Sequence, residues 1–171
     1  MAQKSEQERK REHALLSLRF CWHVDGVIGG SARPGRYGNL KNDLEFLKEH
    51  GISLIVNLTA GPLDIPPDYQ ADMKEIHEPL PDGHPPRREQ LDRIISVVEN
   101  SAHQGEKVVV HCRGGIGRTA TVLIPLLMTM EGISLQEAIN RLRKAGRYTQ
   151  SMDQWEFLKE WAKEKSPPES Y

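Results

Sequence analysis

The chain has 171 residues, a net charge of −1 and two cysteines, Cys21 and Cys112. This length favours one domain with a substantial core, and the balanced charge argues against stable binding to nucleic acid. No apolar run reaches the roughly 20 residues that span a membrane, and the N-terminus is charged where a signal peptide is apolar. The widely spaced cysteines imply no disulfide framework. The free thiols favour a cytoplasmic protein in a reducing compartment. We also expect a monomer.

The first third of the chain predicts a tail, a hairpin and a helix. Residues 1–18 interleave basic and acidic side chains and predict a polar tail, frayed or helical, that its leucines hold to the core. Residues 19–30 alternate apolar and turn residues, which predicts a β-hairpin. Apolar residues at helical spacing predict a helix over 40–47, and Gly51 ends it.

The next stretch predicts two strands followed by a loop whose carboxylates could take part in catalysis. Residues 52–58 predict a buried strand and 73–77 a short edge strand. The loop that follows, EPLPDGHPP at 78–86, holds two carboxylates, Glu78 and Asp82. A carboxylic acid on a mobile loop can donate a proton to a leaving group and later act as a base. Pro-Asp-Gly is also an ordinary type I turn, and this loop alone does not decide between the two interpretations.

The central motif is VVVHCRGGIGRT, which follows a predicted helix over 87–103. A β-branched strand ends at His111, a glycine-rich loop follows, and a new helix begins. Strand, glycine-rich loop and helix N-terminus together build an anion site from backbone N–H groups and the helix dipole. The same positive environment favours the thiolate form of Cys112, and Arg118 offers a planar fork for phosphate oxygens. This combination predicts phosphoryl transfer through cysteine.

The motif fits other kinds of site less well. A lone buried cysteine is usually a small hydrophobic residue, and a glycine cluster after a strand is often only a turn. The motif lacks the Lys-Ser/Thr of a nucleotide P-loop and the glycine spacing of a dinucleotide fold. The histidines show no zinc-ligand spacing, and Cys112 has no nearby cysteine partner. We therefore expect neither a metal nor another cofactor.

The C-terminal part predicts three helices. An apolar helix over 120–130 contains Pro125, and Ser134 caps the next helix. The basic residues between 141 and 148 form either a solvated face or a surface that selects acidic partners. A last helix over 151–161 is expected to bury Met152, and residues 164–171 form a tail. The order of elements predicts a three-layer α/β/α fold with a central, mostly parallel sheet.

The sequence HCRGGIGRT is similar to the H-C-x5-R-[ST] signature of the protein tyrosine phosphatase superfamily. The chain resembles the small atypical dual-specificity branch over roughly residues 19–163, which we take as the catalytic domain. The segment W-x-x-x-G-x-x-G-G-S-A-R-P is similar to the N-terminal hairpin of that branch, where its role looks structural. L-P-D-G-x-P-P is similar to the family's general-acid loop, which favours Asp82 over Glu78.

The resemblance implies a site and a reaction. Cys112 would be the nucleophile, Asp82 the general acid and base, and Thr119 a hydrogen-bond donor to the thiolate. The predicted phosphate-binding residues are Arg113, Gly114, Gly115, Ile116, Gly117 and Arg118. His111, His84 and Gln154 are predicted supporting residues, the last by similarity to a glutamine that positions water in some relatives.

The implied activity is hydrolysis of phosphotyrosine, together with phosphoserine and phosphothreonine, in phosphorylated proteins through a cysteinyl-phosphate. A phosphoinositide or an RNA 5′-triphosphate is the alternative substrate for the same site. A phosphate-binding adaptor without turnover is the alternative from another class. Arg113 is similar to the lysine found there in phosphoinositide-directed relatives, but Ile116 occupies the mid-loop position where those carry a second basic residue.

Overall fold

In the computed structural model, which describes residues 3–166, a sheet of five strands lies between two layers of helices. The strands are β1 (Cys21–Val24), β2 (Ile28–Ser31), β3 (Ile52–Asn57), β4 (Lys74–His77) and β5 (Lys107–His111). Their order across the sheet is β1-β2-β5-β3-β4. β1 and β2 pair antiparallel, and the other neighbouring pairs are parallel. The predicted three-layer, mostly parallel α/β/α fold is confirmed.

The helices divide between the two faces of the sheet. They are α1 (Glu6–Leu18), α2 (Leu40–Glu49), α3 (Pro67–Gln70), α4 (Arg88–His103), α5 (Gly117–Glu131), α6 (Leu135–Lys144) and α7 (Met152–Lys165). Successive side chains of a strand point to opposite faces. Val109 of β5 therefore packs with α1 and α2, whereas Val108 and Val110 pack with α4 to α7. Within residues 3–166, no helix is long and apolar enough to cross a bilayer.

The hairpin, the two buried strands and the main helices are confirmed, but several details of the sequence prediction are wrong. α5 begins at Gly117, three residues before the predicted start. The short helix α3 lies between the strands predicted over 52–58 and 73–77, where no helix was predicted, and Pro67 is at its first position. Met152 is 67% exposed, because the buried face of α7 runs through Gln154 and Leu158 instead.

The segment predicted as an N-terminal tail forms α1, which packs against α2. Ala14 and Leu18, one helical turn apart, are buried there, whereas Leu15 and Leu16 point to solvent. Arg11 adds an ion pair with Glu49 at 2.7 Å. The predicted domain limits at 19 and 163 stay a prediction. Of the predicted C-terminal tail, residues 164 and 165 belong to α7, and residues 167–171 lie outside the described residues.

A buried arginine joins the C-terminal helices to the hairpin. Arg147, in the loop between α6 and α7, is 2% exposed. Its Nη2 donates to the Arg19 carbonyl at 2.6 Å, and its Nη1 lies 3.1 Å from Sγ of Cys21. His23 is buried in β1 nearby, and desolvation lowers its pKa to about 3, with the charge of Arg147 acting in the same direction. His23 is therefore neutral in the folded protein at neutral pH.

The carboxyl ends of the four parallel strands meet at one edge of the sheet. His111 of β5 pairs with Ser31 of β2 on one side and with Asn57 of β3 on the other. Asn57 in turn pairs with His77 of β4. The segments that leave these strands therefore lie side by side, and open α/β sheets bind ligands at this edge.

Candidate active site

The loop between β5 and α5 surrounds Cys112. The side chain is 3% exposed and lies directly before the N-terminus of α5. Thr119, in the first turn of that helix, donates from Oγ1 to the Cys112 Sγ at 3.0 Å. A hydroxyl donor and a helix N-terminus both stabilise a thiolate. The 3.0 Å distance is the contact between Thr119 and Cys112 that the family resemblance predicted.

Gly115 makes the tight return of this loop possible. Its φ is +73°, in the left-handed region that favours glycine. A Cβ at this position would lie 2.6 Å from the carbonyl oxygen of Ser31, a backbone atom that cannot easily move. Gly114, by contrast, has no atom closer than 3.8 Å to the position of an added Cβ. Of these two neighbouring glycines, Gly115 is thus the one that the geometry of the loop requires.

We expect Gly115→Ala to lower the free energy of unfolding by about 1–3 kcal/mol, through left-handed strain and the clash with β2. Gly114→Ala should change it by less than about 0.5 kcal/mol, because the added methyl group would make only ordinary van der Waals contacts, at 3.8 Å or more. Denaturant unfolding of both variants measures the difference. Equal destabilisation by the two substitutions would show that the close approach to Ser31 does not shape the loop.

Arg118 connects the glycine-rich loop to two other segments. The residue is 7% exposed, and Nη1 of its guanidinium donates to the carbonyls of Leu80 at 3.0 Å and Leu58 at 3.4 Å. Its Nε lies 3.5 Å from Oδ1 of Asp82 and has no hydrogen-bond acceptor among the described residues. The backbone contacts fix the orientation of the guanidinium, and the remaining donors can serve an oxyanion.

The two carboxylates of the loop after β4 have different surroundings. Asp82 lies on a turn in which Gly83 has a φ of +76°, and its side chain is 83% exposed beside Arg118. His84 supports the same turn, because its Nδ1 donates to the Asp82 carbonyl at 3.0 Å. Glu78 instead accepts two bonds of 3.2 Å from Arg93 of α4. Of the two carboxylates, Asp82 is therefore the one that lies beside Arg118.

Ser151 ties this loop to α7. Its hydroxyl oxygen accepts from the Gln154 N–H at 3.1 Å and so caps the helix. The same hydroxyl donates to the carbonyl of Gly83 at 2.6 Å. Gly83 is the residue next to Asp82, so this bond positions the tip of the loop. The sequence pattern indicates only that Ser151 starts a helix.

We expect Ser151→Ala to slow turnover of substrates with poor leaving groups by about threefold to tenfold, the effect of one lost hydrogen bond. Ser151→Thr, which keeps the hydroxyl, should restore the rate. Ser134→Ala is the matched control, because Ser134 caps α6 through Glu137 without touching the loop. Steady-state rates for a series of aryl and alkyl phosphates measure the effect. An equal loss of rate in Ser151→Ala and Ser134→Ala would show that Ser151 acts only as a helix cap and does not position the loop.

The remaining predicted residues lie around the loop. Arg113, Gly114 and Ile116 are half-buried or exposed, and Gly117 begins α5. His111 is fully buried, and its Nδ1 donates to the Cys112 carbonyl at 3.1 Å. Desolvation lowers the pKa of His111 to about 3, so its ring is neutral beside the loop.

The two glutamines of the last helical segment have distinct positions. Gln154 is fully buried, and its Oε1 accepts from the Gln150 backbone N–H at 2.8 Å. Gln150, one turn earlier, is the glutamine beside the loop, since a Cβ added at Gly117 would lie 3.0 Å from its Cδ. Sequence reasoning missed Gln150 because the similarity to relatives pointed to the next glutamine along the chain.

Sequence reasoning also missed Arg33, which follows β2. Its guanidinium donates to the Thr59 hydroxyl and to the carbonyls of Gly61 and Pro62, both at 2.8 Å. Its backbone N–H donates to the Arg113 carbonyl at 3.1 Å. Arg33 thus connects the segment after β3 to the glycine-rich loop. The only signal in the sequence was its place in the hairpin motif, for which a structural role was expected.

Comparison with known proteins agrees with this arrangement. A family model described as "polymorphic toxin system, DSP-PTPase phosphatase" matches residues 29–131. The chain is 27% identical over 130 residues to tyrosine-protein phosphatase CDC14 of Candida albicans, covering 75% of this chain and 24% of that protein. It is 30% identical over 123 residues to human dual specificity protein phosphatase 14, covering 68% of this chain and 60% of the relative. The chain spans less than two thirds of the length of either protein.

A solved structure has the same fold. The crystal structure of Tk-PTP in its active form superposes with a TM-score of 0.71 at 29% sequence identity. The match covers 86% of this chain and 97% of that one. The similarity therefore extends over nearly the whole layered domain, and not only over the signature loop.

Proposed function

Since the chain belongs to the DSP-PTPase phosphatases of the cysteine-based protein tyrosine phosphatase superfamily, we propose that it dephosphorylates proteins. Its substrates are phosphotyrosine and, in the same site, phosphoserine and phosphothreonine. The observation that carries this proposal is the contact of the Thr119 hydroxyl with the Cys112 sulfur at the N-terminus of α5. Arg118 and Asp82 stand at the same edge of the sheet.

The first step of the proposed mechanism transfers the phosphoryl group to cysteine. The Cys112 thiolate attacks phosphorus in line, so that an S–P bond forms while the bond to the substrate oxygen breaks. Backbone N–H groups of the loop and the Arg118 guanidinium hold the equatorial oxygens, where the charge is stabilised. Asp82 gives its proton to the departing oxygen, which leaves as a neutral alcohol or phenol.

The second step hydrolyses the cysteinyl-phosphate. A water molecule attacks phosphorus, and Asp82, now a carboxylate, takes its proton. The S–P bond breaks, inorganic phosphate leaves, and the electron pair returns to sulfur. Thr119 favours this departure because its hydroxyl donates a hydrogen bond to the thiolate that forms.

Two other functions use the same site. A phosphoinositide or an RNA 5′-triphosphate would be hydrolysed by the same residues, but Ile116 leaves the middle of the loop without a second basic side chain. An adaptor would bind phosphate without turnover. The presence of Cys112, Arg118 and Asp82, the three residues that the proposed reaction needs, argues against it. We favour the protein phosphatase, acting as a monomer in the cytoplasm, with residues 19–163 as its catalytic domain.

The test is phosphate release, without added metal, from phosphotyrosine and phosphothreonine peptides, a phosphoinositide and a triphosphorylated RNA. Release from the peptides supports the proposal and ranks the residue preference. Release only from the lipid or the RNA would keep the mechanism and overturn the substrate. Binding of phosphopeptides without any release would favour the adaptor.

A further inference from the structure

A second thiol lies outside the catalytic loop. Cys21 is half-buried on β1, the strand at one edge of the sheet, and no step of the proposed reaction uses it. Its sulfur lies 3.1 Å from Nη1 of Arg147 and 3.7 Å from Nε2 of His23. Cys21 and His23 are two residues apart on the strand and therefore project to the same face. A thiol, a guanidinium group and an imidazole ring thus meet at this face of the hairpin.

Arg147 is a buried charge without an acidic partner. Among residues 3–166, no carboxylate oxygen lies within 4 Å of its guanidinium group. Its other acceptors are the carbonyls of Arg19 and Ala145, which are neutral. Desolvation lowers the pKa of Arg147, and the negative charge that Cys21 can carry opposes this shift. Because a buried charge is costly without an opposite charge beside it, the site favours the thiolate form of Cys21.

One donor of the same guanidinium group is unused. Arg147 is 2% exposed, and its Nε has no hydrogen-bond acceptor among the described residues. This nitrogen lies 2.8 Å from the position that a Cβ on Gly30 would occupy, and Gly30 is the residue paired with Cys21 across the hairpin. Residues directly opposite each other on antiparallel strands project to the same face, so the unused donor lies on the face of the Cys21 side chain. A buried donor without an acceptor is destabilising, and an oxygen atom added to the Cys21 sulfur would supply the acceptor.

We propose that Cys21 is a modification site, at which hydrogen peroxide forms a sulfenate whose oxygen accepts a hydrogen bond from Nε of Arg147. The Cys21 thiolate attacks one peroxide oxygen, so that an S–O bond forms and the O–O bond breaks. Sulfur gives up two electrons, and the departing hydroxide takes the proton from the transferred oxygen and leaves as water. The guanidinium group keeps its charge and pairs with the sulfenate as it did with the thiolate. This site is separate from the catalytic loop and does not depend on the proposed phosphatase reaction.

The first test uses Cys112→Ser protein, in which Cys21 is the remaining cysteine. Hydrogen peroxide is added at neutral pH, and the free thiol is counted at intervals. An ordinary cysteine is only a few per cent thiolate under these conditions. The folded protein should therefore lose its thiol about tenfold or more faster than the same protein unfolded in urea. Equal or slower loss in the folded protein would overturn the proposal.

The product of the reaction is identified on the same protein. After oxidation, the protein is unfolded in the presence of dimedone, a carbon nucleophile that traps sulfenic acids. Mass spectrometry should find dimedone on the peptide that contains Cys21. Loss of the thiol without this label would mean a disulfide or a higher oxidation state, and would overturn the proposal.

The second test removes the guanidinium group. Arg147→Met, made in Cys112→Ser protein, keeps an unbranched side chain, and apolar replacements of buried charges are often tolerated. Thiol loss in the folded variant should slow about tenfold, to the rate of an ordinary cysteine. Arg143→Met is the matched control, because Arg143 is an exposed arginine on α6, and it should leave the rate within about twofold. Equal slowing in both variants, or none in Arg147→Met, would overturn the proposal.

A stability measurement tests the bond to Nε and needs no variant of Arg147. Urea unfolding of Cys112→Ser protein is compared before and after oxidation. Because the sulfenate oxygen would satisfy a buried donor, oxidation should raise the urea midpoint, and reduction by dithiothreitol should return it. A lowered midpoint would show that the added oxygen finds no donor at this site, and would overturn the proposal. None of these measurements involves phosphate release, so their outcome is independent of the proposed function.

Discussion

Cys112→Ser is expected to lower phosphate release by roughly 10⁴–10⁶-fold, while phosphorylated ligands still bind. A serine hydroxyl remains protonated at neutral pH and is a poor leaving group, so neither the formation nor the hydrolysis of the covalent intermediate can proceed. The substitution changes one atom, and the binding groups of Arg118 and the loop backbone stay in place. Phosphate release and phosphopeptide titration, performed on the same preparation, measure the two halves of this expectation.

Cys21→Ser is the matched control for this change. Cys21 is the other free cysteine of the described chain, and its sulfur contacts Arg147 rather than the catalytic loop. Its replacement should leave turnover within about twofold of wild type. Near-normal hydrolysis by Cys112→Ser would remove this cysteine from the mechanism. A large loss of turnover in Cys21→Ser, with none in Cys112→Ser, would indicate that Cys21 is the nucleophile.

Asp82→Ala is expected to slow turnover of substrates with poor leaving groups by roughly 10²–10⁴-fold. An alkoxide or a phenoxide of high basicity needs a proton as its bond to phosphorus breaks, and Asp82 is the exposed carboxylate beside Arg118. Aryl phosphates whose leaving groups are stable anions need that proton less. The loss should therefore grow as the leaving group becomes more basic, which a series of substituted phenyl phosphates measures.

Glu78→Ala offers a comparison within the same loop. Glu78 lies four residues before Asp82, and Arg93 holds its carboxylate. Its removal should affect the stability of the loop more than the dependence of the rate on the leaving group. If Glu78→Ala steepens that dependence and Asp82→Ala does not, the general acid is Glu78.

The parts of the site that lie close together in sequence could be predicted from the sequence. Cys112, the glycines and Arg118 occupy seven consecutive residues, and the strand before them and the helix after them have strong local patterns. The order of strands and helices indicated the layered fold for the same reason. The local sequence was not sufficient to assign Asp82 as the general acid, because Pro-Asp-Gly is also a common turn. Only the family resemblance made Asp82 a candidate acid.

Contacts between distant segments could not be predicted in this way. The bond of Ser151 to Gly83 joins residues 68 positions apart, and Arg33 reaches Thr59 across 26 positions. Hydrophobic periodicity reports which face of an element is buried, but it does not report which polar side chain meets which carbonyl. Met152 shows the same limit, because one apolar residue at the start of a helix does not define its buried face.

The two buried neutral histidines give the fold a dependence on acidity. His23 and His111 have pKa values of about 3 in the folded chain, against about 6.5 when exposed. Between these values, unfolding takes up a proton at each ring. The free energy of unfolding is therefore highest above about pH 6.5, and falls on acidification by up to about 1.4 kcal/mol per pH unit for each histidine. Urea unfolding at a series of pH values would show this loss, and His23→Gln should reduce its slope by about half. Mild acid is thus expected to destabilise the whole fold through these two rings, which lie outside the chemical steps of the reaction.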